Sequence, residues 1–384
     1  MVVFLGLLSF LAWLGLLFFR GQFWRANQVL PAAPDPEELP EVAAIIPARD
    51  EAETIGAVIA AHGAARYDGE LQIFLADDHS SDGTADVALA AKAARALHIV
   101  DVPDLPDGWS GKLWALRNGI EAAKEAMPDA RYFLFTDADI EVSPSLLRKL
   151  VAHAEHKDLA LTSIMAQLDG KGFWGGLLVP AFIFFFQKLY PFPLINDPKS
   201  PVAGAAGGVI LIRRDALEAI GGMEAMRDAL IDDCTLAQRV KALGRPIGLY
   251  LSSSFGEATS LRANASYEAM ESMVARSAYT QLGYSPLALV GTLMGMAFLY
   301  LVPWLGTIMF FTGATDSFMG PLTWGLMGLA YFPTIRRYKK PFWQSFSLPV
   351  TGALYGWFTW LSAYRHWQGK GGRWKGRTYP SKSS

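Results

Sequence analysis

The chain has 384 residues, 52% of them hydrophobic and 18% charged, with a formal net charge of −2 and a single cysteine. A soluble domain carries about 25% charged residues, so this composition expects part of the chain to face lipid, and the near-neutral balance excludes a broad basic surface for nucleic acid. Cys234 alone excludes an internal disulfide framework and any cysteine-based metal cluster.

Residues 1–19, MVVFLGLLSFLAWLGLLFF, form an uncharged run long enough to cross a bilayer as a helix. Arg20 and Arg25 follow the run and no Lys or Arg precedes it, the reverse of a secretory signal. Residues 1–20 are therefore expected to be an uncleaved anchor, with the next domain in the cytoplasm.

From residue 41 to 283, polar and apolar segments alternate as in a water-facing domain. VAAIIPARDEAETIGAVIAA (42–61) reads as strand, charged turn and helix; LQIFLADDHSSDGTADVALAAKAA (71–94) repeats the plan. That alternation predicts an α/β domain with a parallel sheet. Ligands bind such sheets at the carboxyl ends of the strands, which places Pro47, Arg49, Glu51, Asp77 and Asp78 at a candidate nucleotide site. No glycine-rich phosphate loop follows either strand, so a nucleotide would be held by a carboxylate on its base and by a metal on its diphosphate. Asp77 can accept from a pyrimidine N–H; an Asp/Ser turn leading to a helix cap explains the same residues equally well.

Further on, GWSGKLWALRNG opens a helix with Lys112 where a phosphate binds. FLFTDADIEVSP (133–144) ends an apolar strand in Asp137 and Asp139. Two like charges one residue apart repel, and a divalent cation such as Mg²⁺ or Mn²⁺ between them removes the repulsion while bridging to diphosphate oxygens. Residues 173–194, FWGGLLVPAFIFFFQKLYPFPL, are apolar but carry Pro180, and are expected to form an interfacial helix lying on a membrane. Gly207 and Gly208 allow close backbone approach to a ligand. Asp232 and Asp233 open a helix ended by Gly-Arg-Pro; they read either as helix-capping residues or as a general base facing an acceptor hydroxyl.

Apolar segments return over 286–364. RRYKK (336–340) follows the second of them, which fits a crossing outward and one back. The third, SFSLPVTGALYGWFTWL, is either a re-entrant hairpin or a crossing that breaks the charge rule, because the basic tail 365–384 follows it.

Taken in order, IIPARDEAETI, ADDHSSDGT, GKLWALRNG, TDADI, GG…RRDALEAIGG and DDCTLAQRVKALG resemble the family 2 glycosyltransferases of GT-A fold over about 41–282. The membrane flanks, RSAYTQLGYSP and WKGRTY are most similar to the hopanoid-biosynthesis-associated members of that family. The resemblance implies a Rossmann-like GT-A domain between terminal membrane helices, in a multi-pass protein of the bacterial inner membrane with its catalytic domain facing the cytoplasm. It implies a nucleotide-sugar donor, a divalent metal cofactor and a membrane lipid acceptor such as a hopanoid. It also implies that Asp77 binds the base, that Asp137 and Asp139 hold ribose and metal, that Lys112 approaches the diphosphate and that Asp233 is the general base. Family members with Gln-x-x-Arg-Trp before their membrane helices make polymers; here MVARS retains only Arg276, so transfer of a single sugar is expected. A polyprenyl-phosphate glycosyltransferase, a processive polysaccharide synthase and a non-catalytic scaffold are the alternatives.

Overall fold

The computed structural model describes residues 2–369 apart from 228, 230, 231, 255, 264 and 265, together with 373, 374, 377 and 378. Most of the basic tail lies outside the described residues. In chain order the elements begin with helix α1 (Val2–Phe19), then β1 (Val42–Ala48), α2 (Ile55–Gly63), β2 (Leu71–Asp77), α3 (Thr84–Ala90) and β3 (Leu97–Asp101). They continue through α4 (Gly111–Ala126), β4 (Tyr132–Thr136), β5 (Ile140–Val142), α5 (Leu146–Lys157), β6 (Leu161–Met165), α6 (Gly172–Leu189) and α7 (Phe192–Ile195). Next come β7 (Val209–Arg213), α8 (Arg214–Ala219), α9 (Asp232–Ala242), β8 (Ile247–Leu251), β9 (Ala258–Ser260) and α10 (Tyr267–Gln281). The last four helices are α11 (Pro286–Met296), α12 (Val302–Phe311), α13 (Met319–Arg337) and α14 (Leu348–Trp367).

Seven strands form one sheet in the order β3-β2-β1-β4-β7-β6-β8. The sheet is mainly parallel, as expected, with one exception: β7 runs antiparallel to both β4 and β6, while the other pairings are parallel. β1 is buried at all seven positions, as a strand covered on both faces must be. One face packs against α4, α7 and α9, and the other against α2 and α5.

Residues 173–194 do not lie on a surface along their length. Helix α6 puts Ile183 into the sheet core and Leu178, Val179, Ala181 and Phe184 into the core of the terminal helices, leaving Phe173, Trp174 and Leu189 exposed at its ends. It is the shared wall of two bodies. Of the two helices long and apolar enough to cross a membrane, the span Gly172–Ile195 is 61% buried over its apolar window and Pro286–Phe311 only 17%. Length and composition thus match in both, but only the second presents its apolar side outward, at Leu287, Val290, Met294, Leu305, Ile308 and Phe311.

Two prolines explain how the terminal helices hold together. Pro180 inside α6 has no N–H, which frees the carbonyl four residues earlier; the Gln344 amide donates to that carbonyl, on Gly176. Pro303 at the start of α12 frees Leu299 in the same way, and the Trp13 indole N–H donates to Leu299 O at 2.9 Å. Ser9 adds a bond to Phe298 O at 3.1 Å, within the π-helical turn Ala297–Leu301 that joins α11 to α12. Without these side chains each freed carbonyl would be buried in apolar surroundings, at a cost of several kcal/mol in hydrocarbon. Helix α1 is thereby tied to helices about 290 residues away.

Trp13→Phe keeps the buried ring but removes the donor to Leu299. It is expected to destabilise the detergent-solubilised chain by about 1–3 kcal/mol, the penalty for one buried unsatisfied carbonyl, read as a lowered Tm. Trp343→Phe, at a 71% exposed position, is expected to leave Tm unchanged.

Candidate active site

The strand carboxyl ends of β1, β2 and β4 lead into turns with charged side chains, and the chain bends sharply there: Asp50 and His79 adopt left-handed backbone, φ 50° and 55°. Burial of the hydrophobic strands forces those turns to one rim of the sheet, since backbone polar groups need solvent or partners as soon as the ladder ends.

Lys112 is the centre of the cluster. Its helix, α4, starts behind an N-cap in which Ser110 Oγ accepts from Leu113 N at 3.3 Å. The Lys112 ammonium lies 2.9 Å from Asp137 Oδ1 and 3.2 Å from Asp232 Oδ2. Burial alone would lower the Lys112 pKa, but Asp137, Asp232 and Asp233 outweigh it and hold the ammonium well above its ordinary value. Asp233 sits beside Gly207: a Cβ at 207 would come 3.2 Å from Asp233 Oδ2, a contact tight enough that the carboxylate would have to shift. Cys234 N donates to Asp233 Oδ1 at 2.7 Å. Burial first, and the adjacent Asp232 second, push the Asp233 carboxyl above the usual range, with Lys112 pulling the other way. Asp232 and Asp233 do occupy the first turn of α9, yet they also face this cluster.

Asp139 is held by a second cation that sequence reasoning missed. Arg262 Nε lies 3.0 Å from Asp139 Oδ2 while its Nη2 lies 2.6 Å from Glu51 Oε1, and Ser260 Oγ donates to Asp139 Oδ2 at 3.0 Å. Burial raises the Asp139 pKa and Arg262 opposes it, with Asp137 and Glu51 adding to the rise. The turn itself is positioned by Thr54 at the start of α2, whose hydroxyl donates to Ala138 O at 2.9 Å. No local pattern announces Arg262: it is one arginine in a loop 123 residues after Asp139, brought in because β9 pairs antiparallel with β5.

Pro47, Lys112, Asp137, Gly207, Asp232 and Asp233 line one pocket, together with apolar side chains including Met223 and Leu236. Arg49, Asp77 and Asp78 lie off that pocket. Asp77 Oδ1 accepts from Ser80 N at 3.1 Å and from the Ser80 hydroxyl, so it also serves its turn. Asp78 is fully buried, and Arg49 donates to its carbonyl at 2.8 Å and lies 3.4 Å from its carboxylate; Arg49 Nε is buried with no hydrogen-bond partner. Gly208 abuts Ala166 and Ile140 rather than an open site, and its carbonyl accepts from Asp137 N at 3.3 Å. Arg276 is exposed on α10 and makes no bond to the site carboxylates among the described residues. No three His, Cys, Asp or Glu side chains among the described residues come together at metal-ligating spacing.

A three-layer α/β domain whose carboxylates and one lysine meet at the strand carboxyl ends, flanked by apolar helices, has a fold of GT-A type. Residues 43–221 match the family described as Glycosyl transferase family 2; the chain carries that domain and is a glycosyltransferase. Its fold is similar to that of a mannosyltransferase, PcManGT, from Pyrobaculum calidifontis, solved in complex with GDP-Man and Mn²⁺: 17% identity, TM-score 0.57, with 96% of this chain and all of that one covered. A glucosyl-3-phosphoglycerate synthase from Mycobacterium tuberculosis, in complex with Mg²⁺ and uridine-diphosphate, aligns at 19% identity and TM-score 0.41, covering 64% of this chain and 79% of that one. No curated protein sequence matches significantly.

Lys112→Met removes the cation that Asp137 and Asp232 share. The variant is expected to lose about 2 kcal/mol of stability, less than the 3–5 kcal/mol of a fully buried broken pair because these groups are partly solvated. Adding Asp232→Asn is expected to restore part of the loss in a double-mutant cycle of thermal or urea unfolding.

Proposed function

We propose that the chain moves one sugar from a nucleotide-sugar donor to a hydroxyl of a membrane lipid, with inversion at the anomeric carbon. The observation that carries this reading is the meeting of Asp137, Lys112, Asp232 and Asp233 around one pocket, with Asp139 one residue along on the same turn.

A divalent cation fits the donor set. Mg²⁺ and Mn²⁺ take one or two carboxylates and complete their shell with substrate phosphate oxygens and water, which agrees with an aspartate pair and no larger protein cage. When bound on Asp137 and Asp139, the cation would neutralise charge that develops on the leaving diphosphate. The residues of the chain do the rest. Lys112 supplies an ammonium at a helix start for the diphosphate, and Asp77 would accept from the base. Asp233, with its raised pKa, takes the proton from the acceptor hydroxyl; that oxygen forms the new bond to the anomeric carbon as the bond to the diphosphate breaks, and the nucleoside diphosphate leaves. Pocket walls of Met and Leu exclude water, so hydrolysis is disfavoured relative to transfer.

The membrane reading rests on the outward apolar side of Pro286–Phe311, on the apolar α1 packed against α13 and α12, and on Arg336, Arg337, Lys339 and Lys340 after the apolar run of α13. By the positive-inside rule those cations support the reading of a catalytic domain in the cytoplasm. Helix α14 has 20 residues, about 30 Å at 1.5 Å per residue, the length of a crossing. A hopanoid is the acceptor that the sequence resemblance suggests.

The test is transfer by the detergent-purified chain, with a panel of nucleotide sugars and total bacterial lipid. Labelled sugar is expected in one lipid band, whose mass spectrum names the acceptor; consumption of no donor overturns the reading. EDTA is expected to abolish transfer and Mn²⁺ or Mg²⁺ to restore it in the wild type but not in Asp139→Ala. Asp233→Asn is expected to lower kcat by about 10²–10⁴ while nucleotide binding is retained.

The pH dependence follows from the sign of the shift. Asp233 works as a base only when ionised, and its pKa is raised, so the rate is expected to climb with pH along a limb above the ordinary carboxylate range and then level off. Asp232 is one cause of the rise. Asp232→Asn is therefore expected to move that limb to lower pH, as read from kcat profiles.

A further inference from the structure

A second cavity, of about 230 Å³, lies between the sheet domain and the terminal helices. Pockets that hold whole drug-sized ligands commonly measure about 300–1,000 Å³, so this smaller cavity suits a headgroup-sized ligand. The polar side of its lining is donor-rich: Gln167 after β6, Ser252, Ser253 and Ser254 after β8, and Arg337 and Tyr338 at the end of α13. No carboxylate among the described residues lines it. Glu257, whose charge reaches Arg337, is already engaged by Lys149 at 2.6 Å and Ser253 at 2.8 Å. Arg337 is half-buried and donates only to the Ser252 carbonyl, which leaves most of its five N–H donors without a protein acceptor. The Gln167 side-chain amide likewise has no protein partner among the described residues.

A half-buried guanidinium facing a cavity without a carboxylate is costly unless an anion completes it, and its planar fork matches a phosphate bidentately. Position identifies the source. Arg337 ends the helix whose preceding turns expose Leu322 and Leu329, so the basic part of the cavity's lining follows that apolar surface along the chain. We propose that this cavity holds the phosphate head of an anionic membrane lipid, gripped by Arg337 and Gln167, at a site separate from the Asp233 pocket. This rests on the membrane reading of the terminal helices.

The site also touches the catalytic cluster. Gln167 N donates to Ala258 O at 2.8 Å and Ser260 N donates to Gln167 O at 2.9 Å, so the same backbone that lines the cavity carries Ser260, the hydroxyl on Asp139. Occupancy is thus linked to the position of Asp139.

The experiment uses the full chain in detergent, with dipalmitoyl phosphatidic acid, phosphatidylcholine and inorganic phosphate as probes, followed by thermal shift and native mass spectrometry. Phosphatidic acid is expected to raise Tm saturably and phosphatidylcholine to have no effect. Arg337→Gln is expected to weaken phosphatidic acid at least tenfold, Arg337→Lys to weaken it less, and Arg336→Gln, at an exposed neighbouring position, to change it less than twofold. Equal affinity in wild type and Arg337→Gln, or equal losses at 336 and 337, would overturn the proposal. So would competition by inorganic phosphate at the same concentration as the lipid, which would mark a soluble-phosphate site. Unchanged nucleotide binding in Arg337→Gln shows that the variant is folded. Flotation with neutral phosphatidylcholine vesicles tests the membrane reading by itself: a wild type that does not float overturns that reading, whereas one that floats but ignores phosphatidic acid overturns only the headgroup site.

Discussion

The ammonium of Lys112 is the constraint around which the catalytic rim is assembled. It joins the start of α4, the turn after β4 and the start of α9, three segments from different thirds of the domain. Its place is costly in isolation: a cation at a helix N-terminus opposes the helix dipole, and half-burial removes much of its hydration. Two carboxylates within about 3 Å reverse that balance. They in turn repel each other, and they tolerate proximity to Asp233 only while Lys112 lies between them. The cluster is therefore a mutually dependent arrangement in which no single charge is stable alone.

Arg262 plays the same part for Asp139 and Glu51. Between them, Lys112 and Arg262 face five carboxylates, Glu51, Asp137, Asp139, Asp232 and Asp233, so the rim keeps a negative surplus where a divalent cation and a diphosphate would add charges of opposite sign. The surplus and the raised pKa of Asp233 have one origin, the crowding of acids in a half-dry site. Structural economy and chemistry coincide here, because the groups that would hold the donor also tune the base.

The terminal helices follow a different logic. Pro180 and Pro303 break backbone hydrogen bonds inside apolar helices, and the freed carbonyls are answered by Gln344 and Trp13. Those bonds link α6 to the segment before α14, and α1 to the junction of α11 and α12. In surroundings without water, a missing backbone partner is expensive enough to dictate which helix lies beside which. Helix α6, with one flank in the sheet core and another in the helical core, then couples the catalytic rim to the apolar bundle.

Much of this was legible in the residues. Alternating strand and helix patterns, acidic turns at strand ends, the aspartate pair at 137 and 139 and the acidic start of α9 are local features, because side-chain period and turn chemistry act over a few residues. The same local reading left Asp77 and Asp78 ambiguous, and in the structure Asp77 bonds within its own turn while Asp78 pairs with Arg49 after β1. It also misjudged α6, since an apolar helix has the same composition whether it rests on lipid or between two protein cores. The reversal of β7, the arrival of Arg262 at Asp139 and the donors for the two proline-freed carbonyls were decided by tertiary structure alone. Each depends on a partner far away in the chain, and charge, hydrogen-bond and packing complementarity between distant segments leaves no period in the sequence. The amino-acid order by itself determined which chemistry the chain carries and at which strand ends; the folded arrangement decided which of those groups meet, and which cations hold them.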